Sequence, residues 1–240
     1  MYKDRTVLLI VPAWNEGQKI GYVVERTPKD IVDKIVVIDD GSTDDTARIA
    51  GKAGAEVISL GSVRGVGFAI REGIRLAKKE GFDIVAIIAG NNKDDPAELP
   101  RLLDPICSGE YDFVMGSRYL SGGGIGGDMP FYRKIATRIH PWLVNLFLGR
   151  SITESTNGFR AIRTSVFDDP RIDLNQSWLD HYELEVYLLM KILKLGIRAT
   201  EAPVTKIYPP KEIGNTKMRP LIDWWNMLRP IFLVGFGIKK

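Results

Sequence analysis

The sequence predicts an α/β fold: a doubly wound, mostly parallel sheet flanked by helices, with a C-terminal extension. Three observations predict it. The apolar, β-branched runs Val7-Leu8-Leu9-Ile10-Val11, Ile35-Val36-Val37-Ile38 and Ile84-Val85-Ala86-Ile87-Ile88 suit strands covered on both faces. Helical stretches of roughly 10–15 residues separate them, the spacing of βαβ units. The second run ends abruptly in Asp39-Asp40-Gly41-Ser42, which puts charge at the carboxyl edge of a strand, where open α/β sheets take their ligands.

Element by element, Thr6–Val11 reads as a strand that Pro12 ends, and Glu16–Arg26 as a helix that Asn15 can cap. Lys34–Asp39 is a strand, and Thr43–Ala53 a helix ending at Gly54, with Ser42 or Thr43 as cap and Asp44 and Asp45 in its first turn. Glu56–Leu60 is a short strand. Val66–Lys79 is a helix whose apolar residues recur at three and four through Phe68–Ala77. Asp83–Ala89 is a strand. Pro96–Cys107 is a helix, with Asp95 as cap and Pro96 in the first helical position. Asp112–Gly116 is a strand. The glycine-rich stretch Ser121–Gly127 reads as a flexible lid or hinge, because more regular structure follows: a helix over Val186–Leu195 and a strand over Ile197–Pro203.

The tail, Leu221–Lys240, is interrupted by Asp223, Asn226 and Arg229 and split by Pro230. It falls short of the ~20 apolar residues that a spanning helix needs. Trp224, Trp225, Phe232, Phe236 and the terminal Lys239-Lys240 fit either a segment lying in a membrane interface or one packed on the core.

The 240 residues, 45% hydrophobic and 26% charged, suffice for a single domain with a sizeable core. The division expected is one domain over 1–220, with a ligand half at 1–117 and a second half at 118–220, followed by the tail at 221–240. Cys107 is the sole cysteine, so no internal disulfide forms; with a short, charged N-terminus this predicts a cytoplasmic protein without a signal peptide. Residues 206–240 hold seven Lys and Arg against Glu212 and Asp223. Such a segment suits an anionic lipid surface, a pyrophosphate, nucleic acid or simply solvent. No nucleic-acid partner is expected, because the first half is acidic and a basic–aromatic stacking pattern is lacking.

Side chains alternate faces along a strand, so Asp39 and Asp40 divide the work: one faces a ligand, the other ties down the Gly41-Ser42 turn. Trp14 offers a flat face to a base, and Arg64-Gly65-Val66-Gly67 opens a helix, where backbone amides favour a phosphate. It is not the GxGxxG fingerprint of dinucleotide-binding dehydrogenases, and no GxxxxGK[ST] occurs. Asn91, Asp94 and their neighbours offer oxygens to a divalent metal.

In order and spacing, Pro12-Ala13-Trp14-Asn15-Glu16, Asp39-Asp40-Gly41-Ser42-Thr43-Asp44, Arg64-Gly65-Val66-Gly67 and Asp94-Asp95-Pro96 together resemble the signatures of family-2 glycosyltransferases with a GT-A fold. Gly116-Ser117-Arg118-Tyr119, Asn157-Gly158-Phe159-Arg160-Ala161, Tyr182-Glu183-Leu184 and Gly214-Asn215-Thr216-Lys217-Met218 are similar to the dolichol-phosphate mannose synthase and polyprenyl-phosphate glycosyltransferase branch. The resemblance covers roughly residues 5–220. It implies a nucleotide site lined by Pro12, Ala13, Trp14 and Glu16, with Asp39 on the base or ribose, Asp40 beside it, and Gly65, Gly67, Ala89 and Gly90 close to the nucleotide. Arg118 and Arg133 would hold a phosphate, and Lys217 would neutralise the departing pyrophosphate. Asp180 and Glu183 would lie where a base or acceptor-side acid falls.

The chain departs from the pattern at the metal. The family's Asp-x-Asp is replaced by Ala89-Gly90-Asn91. The expectation is a weak or shifted Mg²⁺ or Mn²⁺ site using Asn91 and Asp94; catalysis by Arg and Lys with little metal, or binding without turnover, are the alternatives. The reaction expected is transfer of a hexose, with inversion, from a GDP-mannose or UDP-glucose type donor to a polyprenyl phosphate at the membrane face. A sugar or polysaccharide hydroxyl is the other acceptor, and would need a general base. A non-catalytic sugar-nucleotide binding protein is the third reading.

Overall fold

The computed structural model describes residues 1–209, 217–219 and 222–239. A seven-stranded sheet forms the centre: β1 (Val7–Ala13), β2 (Lys34–Asp39), β3 (Glu56–Ser59), β4 (Ile84–Ile87), β5 (Phe113–Ser117), β7 (Arg160–Arg163) and β8 (Ala199–Pro203). Their order is β3-β2-β1-β4-β7-β5-β8. All neighbours run parallel except β7, which is antiparallel to both β4 and β5.

Every residue of β1 is buried. Its side chains serve two cores in alternation: Leu8 and Ile10 join one, while Val7, Leu9 and Val11 join the other. The first core takes α3 (Val66–Glu80) through Ile70 and Ile74, and α6 (Glu183–Lys194) through Leu184 and Leu188. The second takes α1 (Ile20–Arg26), α2 (Thr46–Lys52) and α4 (Leu99–Cys107). Asp95 caps the turn before α4 as expected, its side chain accepting from Ala97 N at 3.0 Å.

Three expectations are corrected. The glycine stretch contains a strand, β6 (Gly124–Gly127), paired parallel with β9 (Thr205–Tyr208). Small residues let it pass close to its partner, so this part is an ordered two-stranded ribbon rather than an open hinge. A long helix, α5 (Phe131–Leu148), follows it where the sequence expectation has none. Asn15 does not cap α1, which begins at Ile20; its amide donates to Ser42 Oγ at 2.8 Å and its Oδ1 accepts from Thr43 N at 2.8 Å, tying the first two loops together.

The tail forms α7 (Ile222–Gly235). Its inner face packs on the core through Ile231 and Val234, and Arg229 pairs with Glu183 at 2.5 Å. Its outer face leaves Trp225 exposed, with Phe236 exposed just beyond its end. Among the described residues, no helix is long and apolar enough to cross a membrane.

Candidate active site

A cavity of about 390 Å³ opens at the carboxyl edge of β1, β2 and β4, within the size range of small-molecule sites. It gathers Pro12, Ala13, Trp14, Glu16, Asp40, Gly65, Ala89, Gly90, Asn91, Asp94 and Lys217, each read from a sequence motif, together with Arg133. Asp39, Gly67, Arg118, Asp180 and Glu183 are outside its lining.

The two aspartates at the end of β2 face different ways. Asp39 accepts from Ser42 N at 3.0 Å and Ser59 Oγ at 3.1 Å, so it fixes the turn. Asp40 faces the cavity and accepts from the amides of Arg64 and Gly65 at 2.6 and 2.9 Å. Burial pushes its carboxyl up, against those two amides.

Gly65 sits at φ +107, and a Cβ there would lie 2.3 Å from the Asp180 carbonyl oxygen. A Cβ on Gly67 would lie 2.2 Å from the Leu179 carbonyl oxygen. The Gly65-Val66-Gly67 motif therefore lets α3 start flush against residues 179–181, and Gly67 is corrected from a nucleotide neighbour to a packing position. His181 reaches the cavity from that segment.

The expected bases are both engaged elsewhere. Asp180 pairs with the buried Arg71 of α3. Glu183, buried and with its carboxyl pushed up by that burial, pairs with Arg229 of α7. Arg118 is likewise tied up: Nε donates to Glu154 at 2.6 Å and Nη1 to Tyr208 Oη at 2.8 Å. These three side chains hold elements together. Lys217 lies over the Trp14 ring at 5.5 Å and pairs with Glu16 at 2.9 Å, closing one side of the cavity mouth. The neighbouring Gly214-Asn215-Thr216 lies outside the described residues.

Lys93, Lys206, Arg160 and Glu185, to which no role is assigned above, also line the cavity. Lys206 Nζ contacts both Asp94 oxygens, at 2.7 and 2.6 Å, and Asn157 Oδ1 at 2.9 Å. Lys93 is 7% exposed, and burial, then Arg133, Lys206 and Lys19, lower its pKa to about 8. Lys93 was visible in sequence as a neighbour of Asn91. Its burial beside other cations was not, because β9, which carries Lys206, comes from more than a hundred residues away.

Residues 8–169 match the family described as Glycosyl transferase family 2. The chain belongs to that family. The transferase is 29% identical over 218 residues to an undecaprenyl-phosphate mannosyltransferase from Micrococcus luteus, covering 88% of this chain and 87% of that one. It is 28% identical to a polyprenol monophosphomannose synthase from Mycolicibacterium smegmatis, covering 88% and 80%. Its fold matches glucosyl-3-phosphoglycerate synthase from Mycobacterium tuberculosis, crystallised with Mn²⁺ and UDP-glucose: TM-score 0.70, 24% identity, 99% of this chain and 81% of that one. The GT-A fold and glycosyltransferase activity expected from sequence are thereby established.

The transferase's residues do not fit the divalent ion of that neighbour. Ala89 and Gly90 offer no side-chain oxygen, Asn91 offers a neutral one, and Asp94 is already neutralised by Lys206. Mg²⁺ and Mn²⁺ are held chiefly by carboxylates. Among the described residues, no group of three or more His, Cys, Asp or Glu could hold a metal. The expected site at Asn91 and Asp94 is corrected: the buried ion pair has taken the carboxylate.

Proposed function

We propose that the transferase moves a hexose from a nucleoside diphosphate sugar of the GDP-mannose or UDP-glucose type to a polyprenyl phosphate in a membrane, with inversion at the anomeric carbon. One observation carries the acceptor. The two helices that supply Arg133, Asp223 and Met227 to the cavity expose apolar residues on their outer sides. Phe131, Tyr132, Ile135, Ile139, Trp142 and Leu146 are exposed on α5, and Trp224 and Trp225 on α7. Tyr132 and Trp224 meet at 5.9 Å between ring centroids, so the two faces are continuous beside the cavity. Adjoining apolar surface of this kind marks a membrane or protein contact.

The donor reading rests on Trp14 and Asp40, which line the cavity at the sheet edge. The likeness to two relatives named for lipid-phosphate mannosyl transfer supports the acceptor class. A phosphate acceptor is already an anion and needs no base. That agrees with Asp180 and Glu183 being held in ion pairs. A hydroxyl acceptor would turn to Glu185, the cavity carboxylate at the start of α6.

The test offers radiolabelled GDP-mannose or UDP-glucose to purified protein, with undecaprenyl or dolichyl phosphate in vesicles. Label should pass into the organic phase on extraction. Label passing only to water-soluble acceptors, and losing its rate in Glu185→Gln, would replace this reading with hydroxyl transfer.

A further inference from the structure

The cavity has an imbalance of charge. Each carboxylate that lines it is engaged: Glu16 with Lys217 and Lys19, Asp94 with Lys206, Asp223 with Arg219 at 3.1 Å, Glu185 beside Arg160 at 3.8 Å, and Asp40 with two amides. Lys93 is the exception among the cations. Among the described residues its ammonium has no hydrogen bond or ion pair, and it lies only over the Tyr208 ring, 5.3 Å from the centroid.

A buried ammonium with no ion pair is unfavourable, and the cations around it make it more so, against the weaker pull of Glu16. The fold nevertheless holds it firmly. Lys93 N donates to Asn91 Oδ1 at 3.1 Å, its carbonyl accepts from Ile207 N at 2.7 Å, and Asp94 is fastened to Lys206. The turn that follows β4 is thus clamped to β9 from both residues, and the lysine is directed into the cavity, two positions beyond the last residue of Ala89-Gly90-Asn91. A divalent ion at that turn would meet Lys93 and would find no uncommitted carboxylate. An anion would find a desolvated ammonium ready for it.

We propose, given a nucleoside diphosphate sugar as donor, that Lys93 with Arg133 is the cationic seat of the donor's diphosphate, replacing a divalent metal at the turn after β4. In the transfer, the bond from the anomeric carbon to the terminal phosphate oxygen breaks, and both electrons stay on that oxygen. The nucleoside diphosphate therefore leaves with one more negative charge than it carried in the donor. The acceptor phosphate oxygen supplies the pair for the new bond, and no proton moves. Lys93 lies where that gained charge is greatest, and its ammonium stabilises the leaving group more than the donor.

The experiment is calorimetric titration of UDP and GDP, with uridine and guanosine as phosphate-free controls, in EDTA and in Mn²⁺. Wild-type protein should bind one of the diphosphates in EDTA within about threefold of its affinity in Mn²⁺. Lys93→Met should weaken that diphosphate at least tenfold while leaving the nucleoside unchanged, and Lys93→Arg should recover most of the loss. Lys93→Met removes a buried charge and should fold; Lys93→Gln serves the same comparison if it does not. A diphosphate affinity that falls tenfold or more in EDTA and returns with Mn²⁺ overturns the proposal, as does undiminished diphosphate binding by both Lys93→Met and Lys93→Gln. If wild-type protein binds neither diphosphate in either condition, the donor reading falls and takes this proposal with it.

Discussion

At the scale of single residues, the Asp94–Lys206 pair and Lys93 form a unit of opposite tendencies. The Asp94 side chain is fully buried, and Lys206 supplies its counter-charge. Lys206→Met would leave a buried carboxylate unpaired, and removing one partner of such a pair costs about 3–5 kcal/mol. The urea midpoint should fall accordingly, and Asp94→Leu combined with Lys206→Met should recover most of the loss. Lys93 has the reverse sign. Its pKa is lowered from 10.5 to about 8, so the folded state holds its proton less tightly than the unfolded chain does. The penalty, of order 3 kcal/mol, is fully present below pH ~8 and fades as pH rises from there toward the unfolded value. Lys93→Met should therefore melt higher than wild type at pH 7 and no higher at pH 10.5, by calorimetry without ligand. Diphosphate affinity of the wild type should decline as pH rises through the range in which Lys93 loses its proton.

At the scale of elements, the close seating of α3 on residues 179–181 decides where His181 and Tyr182 stand. Gly67→Ala would push a methyl into the Leu179 and His181 carbonyls, both under 2.5 Å from an ideal Cβ. Overpacking of this kind costs about 1–3 kcal/mol. Chemical denaturation should show that loss, and donor KM should rise with it. The two carboxylates of the same segment should behave as fasteners. Glu183→Gln should speed amide exchange in α7 and lower stability while changing kcat by less than about tenfold; a loss of 10² or more, of the size general-base removal gives, would make Glu183 the base instead. Such fasteners mark the boundary of what the sequence discloses. The strand runs, the turn at Asp39-Asp40 and the Asp95 cap are local signals, and they were legible. Whether Asp180, Glu183, Arg118 or Asp94 faces a ligand depends on partners 36 to 112 residues away, Arg71, Arg229, Glu154 and Lys206, and local pattern carries no trace of those pairings. The antiparallel β7 and the β6–β9 ribbon escaped for the same reason: both are defined by long-range pairing of short, four-residue segments.

At the scale of the whole molecule, the cavity and the apolar helices share one rim. Along α5 the exposed positions 131, 135, 139, 142 and 146 recur at three and four and define one face, while Thr137, His140, Pro141 and Val144 are buried on the other. Phe131 is 76% exposed, Trp142 60% and Leu146 65%, and Lys134 and Arg138 are exposed among them. An apolar face with cations beside it suits the interface of an anionic bilayer, where aromatic rings settle at headgroup depth and each nearby Lys or Arg adds about 1 kcal/mol of attraction. The donor is water-soluble and the proposed acceptor phosphate lies at the headgroup plane, so laying α5 and α7 on the bilayer would bring Arg133 and the cavity to the acceptor without a spanning segment. The doubly substituted Ile139→Glu, Trp142→Glu protein alters only exposed side chains and should fold and melt like wild type. In flotation with vesicles containing anionic lipid, it should bind at least tenfold more weakly. Its turnover should fall with a long-chain polyprenyl phosphate held in vesicles, and should match wild type with a short-chain acceptor in solution. Equal vesicle binding by the two proteins, or a wild-type dimer in sedimentation that the substitutions dissolve, would assign the face to protein contact rather than lipid.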